Sequence, residues 1–429
     1  MTKKHSLATT ALVALAAAGG AVAASTTDAY AQSTPTIQGM SGAPEIRDGE
    51  QRFKIRGRFQ YDIMSNDWDI LAEDGTRSYV RRAFIGAQGR FSNRWRYKID
   101  FVLNPGANDS TGTPATGGGD DVAVDDAYLE YAGDFFSFVI GENNVTSPLE
   151  DRTSSLDIPF IERSSFINTF GYGRAAGAAF LVTGANWMGS AGVYGDSLNN
   201  QDNNFALDEQ FSVSGRFTWA PIFEVSPESY YLVHLGVSGR YRYQGDDAAF
   251  RYRTRPLNGR GTRWIDAGGA LAGERDTTYG VEFAAQFNQF GLTAEYSMLE
   301  GEETPAAGGS DFEFEGYYVD ASWSLTGEPR AYRGNQGAFG PIAPRHPVTE
   351  GGIGHWSLSA RYDYVDLSDP AAAAGTRGEQ TAYAIGLDWV PVDHVRLKLN
   401  YASSDMDRTG PGTVDDEAQV ITLRTQFDF

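Results

Sequence analysis

The sequence of 429 residues contains no cysteine. Disulfide bonds, thiolate nucleophiles and cysteine-based zinc sites are therefore excluded. Histidine is scarce as well, with five in the chain, and His346, His355 and His394 stand at connections or strand starts without the spacing of metal ligands. We therefore expect neither a metal site nor a cofactor.

A long apolar run is missing from most of the chain. Beyond the N-terminal region no stretch reaches the roughly 18 apolar residues that a membrane-spanning helix needs. The first residues are typical of a secretory signal, because Lys3 and Lys4 precede an apolar stretch over 7–24 and an A-x-A cleavage pattern follows. We predict a signal peptide at 1–31 and a flexible segment at 32–50. A membrane anchor is the alternative for the apolar stretch.

Positive charge is in deficit. Lys and Arg number 35 against 56 Asp and Glu, which gives a formal net charge of −21 at pH 7. Such an acidic chain is poorly suited to the phosphate backbone of DNA or RNA, so we expect no nucleic-acid partner. The overall balance does not fix the charge inside a pore, because acidic loops and basic walls can coexist in one chain.

Helical periodicity is nearly absent, whereas alternation with a period of two runs through the chain. Residues 52–62 show it most clearly, with one face made of Phe53, Ile55, Gly57, Phe59 and Tyr61 and the other of Lys54, Arg56, Arg58, Gln60 and Asp62. The last strand alternates in the same way and ends on Phe429. An apolar face opposite a polar face, with a terminal aromatic, is typical of a membrane β-barrel.

We count sixteen strands and predict an all-β fold, a 16-stranded antiparallel transmembrane β-barrel over 51–429. The predicted strands lie at approximately 52–64, 77–91, 94–104, 122–132, 135–142, 174–184, 186–195, 209–220, 229–244, 275–289, 290–301, 312–326, 353–366, 379–390, 393–404 and 417–429. Short and long connections alternate, and the even count leaves both termini in the periplasm. By this parity the long connection 327–352 is periplasmic, and we expect it to fold into or under the lumen. The alternation slips near Gly316, where we expect a β-bulge.

The inward faces of the first three predicted strands are basic. They carry Lys54, Arg56, Arg58, Arg82, Arg90, Arg94, Arg96 and Lys98. Asp62 and Asp100 are the main acids among them, and we expect both to orient the arginines. A wall of one charge sign attracts and concentrates counter-ions. The alternative is that many of these cations form structural ion pairs in the wall.

A second basic group lies in the long connection 245–274. Arg251, Arg253 and Arg255 alternate there, and in an extended chain their side chains point to one side at spacings of roughly 6–7 Å. Such a row can pass an anion from one guanidinium to the next. The alternative is a solvated loop in which nearby aspartates pair with the arginines.

Short sequence matches along the chain indicate one family. They are 53–62 (FKIRGRFQYD), 81–83 (RRA), 126–131 (DAYLEY), 153–155 (TSS), 160–164 (FIERS), 325–328 (LTGE), Trp356, 360–362 (ARY) and 386–389 (GLDW). In their order and spacing, which cover nearly the whole mature sequence, the chain resembles the phosphate-selective porin O/P family of bacterial outer membranes. The resemblance implies a trimeric outer-membrane barrel whose partners are small anionic solutes and outer-membrane lipid.

The resemblance also assigns roles to the basic residues. It implies that the third and fifth outer loops, 143–173 and 245–274, fold inward and narrow the lumen. The row of arginines at 251–255 then corresponds to the family's arginine ladder. Members that bind phosphate tightly carry a lysine where this chain has Asn144, beside Glu142. The resemblance therefore implies a general anion preference and leaves selectivity for phosphate open.

We predict passive diffusion of small anions through a water-filled trimeric barrel, with phosphate or polyphosphate among the candidate solutes. The predicted anion-binding and translocation residues are Arg56, Arg58, Arg82, Arg96, Lys98, Arg251, Arg253 and Arg255. A nonspecific or cation-preferring general diffusion porin is the alternative, because acidic residues cluster in the outer loops. We do not expect an enzyme, since the inward-facing His234 has no nucleophile with a local signature beside it. A plugged barrel with a purely structural role is the remaining alternative.

Overall fold

The computed structural model describes residues 36–103, 122–199, 210–226, 228–244, 250–267, 273–304, 309–370, 377–409 and 413–429. The predicted signal peptide at 1–31 lies outside the described residues. Within them, no helix combines the length and the hydropathy of a membrane-crossing helix.

Strands make up nearly all of the regular structure. In chain order they are β1 (Thr36–Ser41), β2 (Ala43–Asp48), β3 (Gln51–Trp68), β4 (Gly75–Arg90), β5 (Trp95–Leu103), β6 (Val122–Ala132), β7 (Phe136–Asn144), β8 (Arg174–Thr183), β9 (Trp187–Tyr194), β10 (Phe211–Val225), β11 (Tyr230–Tyr243), β12 (Arg253–Thr254), β13 (Ile265–Asp266), β14 (Gly273–Phe287), β15 (Phe290–Glu303), β16 (Asp311–Ser324), β17 (Tyr332–Arg333), β18 (Ala338–Phe339), β19 (His355–Asp366), β20 (Gly378–Val392), β21 (Val395–Arg408) and β22 (Asp416–Asp428). The helical elements are α1 (Leu149–Arg152), α2 (Ser165–Thr169) and a 3₁₀ turn at Val348–Glu350.

The strands β3–β11, β14–β16 and β19–β22 form a closed antiparallel barrel. Each pairs with the next, and β22 pairs back to β3, so the prediction of sixteen antiparallel strands is confirmed. The end of the barrel that carries Phe429 and the short turns is called the inner end below, and the opposite end is called the outer end.

The alternation of the last strand works as the sequence predicts. Ile421 and Phe427 point outward and are 51% and 42% exposed, whereas Arg424 points inward and is 1% exposed. Phe427 stacks on Phe59 of the first barrel strand, with ring centroids 5.3 Å apart. The apolar face of the closing seam is therefore continuous across β22 and β3.

Residues 36–48, which lie within the segment 32–50 expected to be flexible, form a hairpin before the barrel. Strands β1 and β2 pair with each other, and β2 pairs with Gln51–Lys54 of β3. The reason is geometric, because β22 covers β3 only from Arg58 onward and leaves the start of that strand with an open edge. Gly42 in the hairpin turn has φ 76°, and a Cβ there would lie 2.5 Å from the Cα of Phe429.

The expected bulge at Gly316 is wrong. The register of β16 is continuous with both neighbouring strands. The irregular alternation arises because Phe312 and Phe314 face inward and are buried in an aromatic cluster inside the barrel. Gly316 belongs to the same inward face, where a Cβ would lie 2.4 Å from the Cβ of Phe166. The glycine makes room for a loop that enters the lumen.

Candidate solute pathway

The first inward loop, here called the constriction loop, comprises residues 145–173. Carboxylates of the barrel wall hold the start of each of its short helices, with Glu295 accepting from the backbone N–H of Leu149 and Glu150 at 2.8 Å each. Asp363 accepts from the N–H of Ser165 at 2.9 Å. The first N–H groups of a helix have no partner within the helix, so these acids satisfy donors that would otherwise be buried alone.

Cations of the wall hold the middle of the constriction loop. Arg424 donates Nη1 to the carbonyl of Ile161 at 2.7 Å, and the buried Lys398 donates to the carbonyls of Ile158 and Phe160. The side chain of Glu162 receives both Nε and Nη2 of Arg81 at 2.9 Å. These contacts fix the loop against inward side chains of the barrel wall.

Glu162 is ionised at this position. Burial opposes its charge, but the guanidinium groups of Arg81 and Arg424 hold the pKa of this carboxyl well below its usual range. The loop thus contributes a permanent negative charge that neutralises part of the basic wall.

A second loop closes over the outer end of the lumen. Its described residues are 250–267, here called the outer cap. Thr169 of the constriction loop donates to the carbonyl of Arg253 at 3.2 Å, and Gln380 of the wall donates to the carbonyl of Arg255 at 3.0 Å. Arg408 lies over the ring of Trp264 at 3.5 Å. These contacts hold the backbone of the cap while the side chains of its two inner arginines face the lumen.

A third insertion comes from the inner end. Residues 325–354, here called the inner segment, send the hairpin β17–β18 into the barrel. The carbonyl of Gly337 accepts from Arg216 at 2.7 Å, and the Tyr332 hydroxyl lies 2.7 Å from Nδ1 of His234. Both wall side chains also contact Glu282. Part of the connection 327–352, expected to fold into or under the lumen, thus packs against inward side chains of the wall.

One cavity of about 890 Å³ remains between the three insertions and the wall. Thirteen of its lining residues are Arg or Lys, against six Asp or Glu. Side chains of β3–β8 and β20–β22 contribute to it, and among the described residues the seven strands β9–β11, β14–β16 and β19 contribute none. The lumen is thus packed on one side and open on the other.

Most of the predicted site residues meet at this cavity. Arg56, Arg58, Arg82, Lys98, Arg253 and Arg255 line it. Two do not, which corrects the prediction. Arg96 pairs with Glu130 at 3.6 Å and Arg251 pairs with Asp266 at 2.7 Å, and both lie outside the cavity lining. Arg251 is instead bound to Asp266, the residue that pairs with Arg253 in the short β12–β13 ladder.

Two of the cavity arginines have neutral partners. Arg58 donates to the hydroxyl of Ser155 at 2.9 Å and lies over the ring of Phe84 at 4.3 Å. Arg82 donates to the amide oxygen of Gln60 at 2.9 Å. Among the described residues, neither forms an ion pair with a carboxylate. Asp62, expected to orient these arginines, instead binds Arg424 through both oxygens at 2.7 Å.

Bulges increase the charge of the wall. The register shifts after Gln60 of β3, so that β4 has one extra residue and both Arg81 and Arg82 reach the lumen. A second shift after Asp100 of β5 does the same for Asp125 and Asp126 of β6. Sequence alternation cannot reveal such pairs, because it assigns adjacent residues to opposite faces.

The acids Asp100, Asp125 and Asp126 bring carboxylate oxygens within 4.8 Å of one another. Cations already pair with them, since Lys98 lies 3.1 Å from Asp100 and Arg174 lies 3.1 Å from Asp125 and 2.9 Å from Asp126. Asp100 also lies 3.4 Å from Arg56, as expected for an orienting acid. The cluster is a braced ion network of the wall.

Several arginines that line the cavity were not predicted from the sequence. They are Arg81, Arg152, Arg163, Arg174, Arg333 and Arg396. The inward phase of alternation could have identified Arg396, which has the opposite phase to Leu399, 45% exposed on the outer face. Glu142 is not part of the cavity lining; it is buried and accepts a hydrogen bond from the hydroxyl of Ser197 at 2.7 Å. Asn144 does line the cavity and lies 3.4 Å from Asp151.

Comparison with known proteins identifies relatives over the whole barrel. The family model described as phosphate-selective porin O and P matches residues 53–429. Porin O of Pseudomonas aeruginosa is 28% identical over 468 residues, covering 100% of both chains. A protein of Caulobacter vibrioides described as uncharacterized is 28% identical over 411 residues, covering 92% of this chain and 78% of the other.

Solved structures share the fold. OmpT of Vibrio cholerae, an outer-membrane protein, matches with a TM-score of 0.54 and 13% identity over 89% of this chain and 100% of the other. The outer-membrane channel DcaP of Acinetobacter baumannii matches with a TM-score of 0.52 and 13% identity, covering 89% and 99%. At this identity the likeness concerns the architecture.

Proposed function

The chain belongs to the family of phosphate-selective porins O and P and is a diffusion channel of the bacterial outer membrane, and we propose that it passes small anions in preference to cations. The observation that carries the proposal is the pair Arg58 and Arg82, which face the cavity with neutral partners. Among the described residues neither guanidinium is bound directly to a carboxylate, so each can attract an anion and repel a cation at the level of the constriction loop.

The proposed path runs along the open side of the lumen. An anion entering at the outer end meets Arg253 and Arg255 of the outer cap, which both line the cavity. It then passes Arg82 and Arg58, with Arg56 and Lys98 lower on the same wall. The concentration gradient drives the movement, and exchange between neighbouring guanidinium groups keeps each binding step weak enough for release.

The solute class proposed here is anions in general. A neutral amide at Asn144 can donate a hydrogen bond to phosphate but cannot compensate its charge. The amide is also within 3.4 Å of the carboxylate of Asp151, which disfavours a dianion there. We therefore propose that phosphate is one permeant anion among several.

We also propose a homotrimer in outer-membrane lipid. Large apolar side chains such as Val281, Ile385 and Ile421 are more than half exposed on the outer face of the barrel, and such a surface requires lipid or another subunit. The Vibrio cholerae relative is described in a trimer form. A heat-labile band of three chains on a denaturing gel would agree with this assembly.

We infer no enzymatic role for the one histidine that the sequence brings forward. His234 is 0% exposed, with one ring nitrogen at Tyr332 and the other 3.1 Å from Glu282. A substrate cannot reach it without removal of the inner segment.

Reversal potentials in a KCl gradient test the proposal. The purified full-length protein in a planar bilayer should give a potential of the sign set by chloride, and Arg82→Gln should move it toward the potassium value. Arg96→Gln is the matched control, because it removes the same charge outside the cavity. A potential of the potassium sign in the unaltered protein would reject anion preference in favour of the cation-preferring alternative.

A further inference from the structure

The inner half of the cavity carries a non-polar stripe that the passage of inorganic ions does not require. The stripe consists of Pro341, Ile342 and Ala343 of the inner segment together with Leu156 of the constriction loop, and all four line the cavity. Pro341 and Ala343 are exposed where they line the cavity. Apolar surface left in contact with water is unfavourable unless something covers it.

The stripe is held in place at both ends. On one side the N–H of Gly340 donates to the carbonyl of Ala331 at 2.8 Å, and Arg330 lies over the ring of Phe339 at 3.9 Å. On the other side the N–H of Arg345 donates to Glu328 at 2.9 Å. Proline at 341 fixes φ within the stripe. It is thus a preformed surface and does not need to be ordered by a ligand.

Guanidinium groups lie beside the stripe. A Cβ at Gly340 would be 2.9 Å from Nε of Arg333, so the glycine allows this side chain to lie against the backbone next to Pro341. On the opposite wall Arg58 donates to Ser155, the residue before Leu156. Within the described chain, neither Arg333 nor Arg58 forms an ion pair with a carboxylate. Each end of the stripe therefore has a guanidinium group beside an apolar side chain, and the nearest lining carboxylates, Asp157 and Asp125, are not bound to it directly.

We infer that this half of the cavity is adapted to organic anions, namely carboxylates with a short non-polar body, and retains them over inorganic anions of equal charge. The carboxylate binds Arg58 or Arg333, since a guanidinium fork matches two carboxylate oxygens. The hydrocarbon part covers Ile342, Pro341 and Leu156. The inference rests on the proposed anion preference and names the solute class for it.

Block of the chloride current by acetate and by hexanoate tests this inference. The two share the carboxylate and differ only in hydrocarbon length. In the full-length protein, hexanoate should block at a concentration about tenfold lower than acetate, because added methylenes contact the stripe. Equal block by the two would overturn the inference while leaving the anion preference standing. If the reversal potential in a KCl gradient had the sign expected for potassium, the proposed anion preference itself would be rejected.

The variant Ile342→Ser locates the effect. It should remove most of the difference between hexanoate and acetate while leaving the acetate block and the reversal potential in KCl unchanged. Val348→Ser is the control, since Val348 is an exposed residue of the same segment outside the cavity lining. A difference that persists in Ile342→Ser, or that Val348→Ser removes equally, would contradict the assignment to the stripe.

Discussion

Arg424 of the last strand and Glu162 of the constriction loop form an ion pair across the closing seam, with Nη2 3.0 Å from Oε1. The same carboxylate holds Arg81 of the second barrel strand, and Arg424 also holds Asp62 of the strand between them. One loop side chain thus connects three adjacent strands at the point where the barrel closes. The position of the loop and the closure of the barrel stabilise each other.

Glu162→Gln is expected to destabilise both the constriction loop and the closed barrel. The change leaves two buried guanidinium groups facing a neutral amide, and removal of one partner of a buried ion pair costs about 3–5 kcal/mol. The variant should unfold at a lower temperature, measured by the heat-induced shift of the barrel on a denaturing gel, and its open-channel current should be noisier. Glu350→Gln, at an exposed position, is the control; equal behaviour of the two variants would contradict the bracing role.

Neutralising the outer cap should lower the anion preference without changing the fold. In Arg253→Gln/Arg255→Gln, two cations are lost from the cavity lining, so the reversal potential in a KCl gradient should move toward the potassium value. Arg251→Gln removes a cation from the same row but outside the lining, and should leave the potential unchanged. If Arg251→Gln shifted the reversal potential as much as the double variant does, the three arginines would act as a solvated surface patch and not as part of the path.

Gly57→Ala is expected to impair barrel assembly. The ring of Phe429 occupies the space beside Gly57, where a Cβ would lie 2.2 Å from the ring carbon Cζ. Overpacking of this kind costs about 1–3 kcal/mol, here at the terminal residue that closes the seam. The fraction of heat-modifiable barrel in isolated membranes should fall. Gly189→Ala is the control, because the atom nearest to a Cβ at that position lies 3.8 Å away. The control should assemble at the normal level, and equal assembly of Gly57→Ala would contradict the prediction.

Tyr332→Phe should loosen the inner segment. Loss of the hydroxyl leaves Nδ1 of the buried His234 without its partner, at a cost of about 1–3 kcal/mol. The hairpin β17–β18 should then leave its packed position more often, which raises current noise and the accessible conductance. Tyr383→Phe removes a hydroxyl from a side chain that is 53% exposed on the outer face. An identical conductance record for all three proteins would show that the bond does not hold the segment.

The strands of the barrel wall can be predicted from the sequence because alternation is a local property. The sixteen strands follow from it to within a few residues, and so do Arg56, Arg58 and Lys98 as inward cations. Alternation fails at Arg81 and at Phe312. A bulge adds an inward residue at the first position, and a loop from elsewhere buries aromatic side chains of the wall at the second.

The charge that remains in the cavity was not predictable in the same way. Asp62 and Arg58 alternate on one strand, yet Asp62 is neutralised by Arg424, which is more than 350 residues away in sequence. Which arginines keep an uncancelled charge depends on the closing register and on loop acids such as Glu162. Arg251 shows the same limit, because three alternating arginines form a row only if the chain is extended throughout.

The packed side and the open side of the lumen are formed by different barrel strands. The barrel strands β9–β11, β14–β16 and β19 contribute to the wall and to the buried networks around Glu282 and Glu295, but not to the cavity lining. The first and last barrel strands supply the lining and become neighbours only when the barrel closes. Changes in the first and last barrel strands and in the three insertions can therefore alter the solute preference, whereas β9–β11, β14–β16 and β19 are constrained by packing.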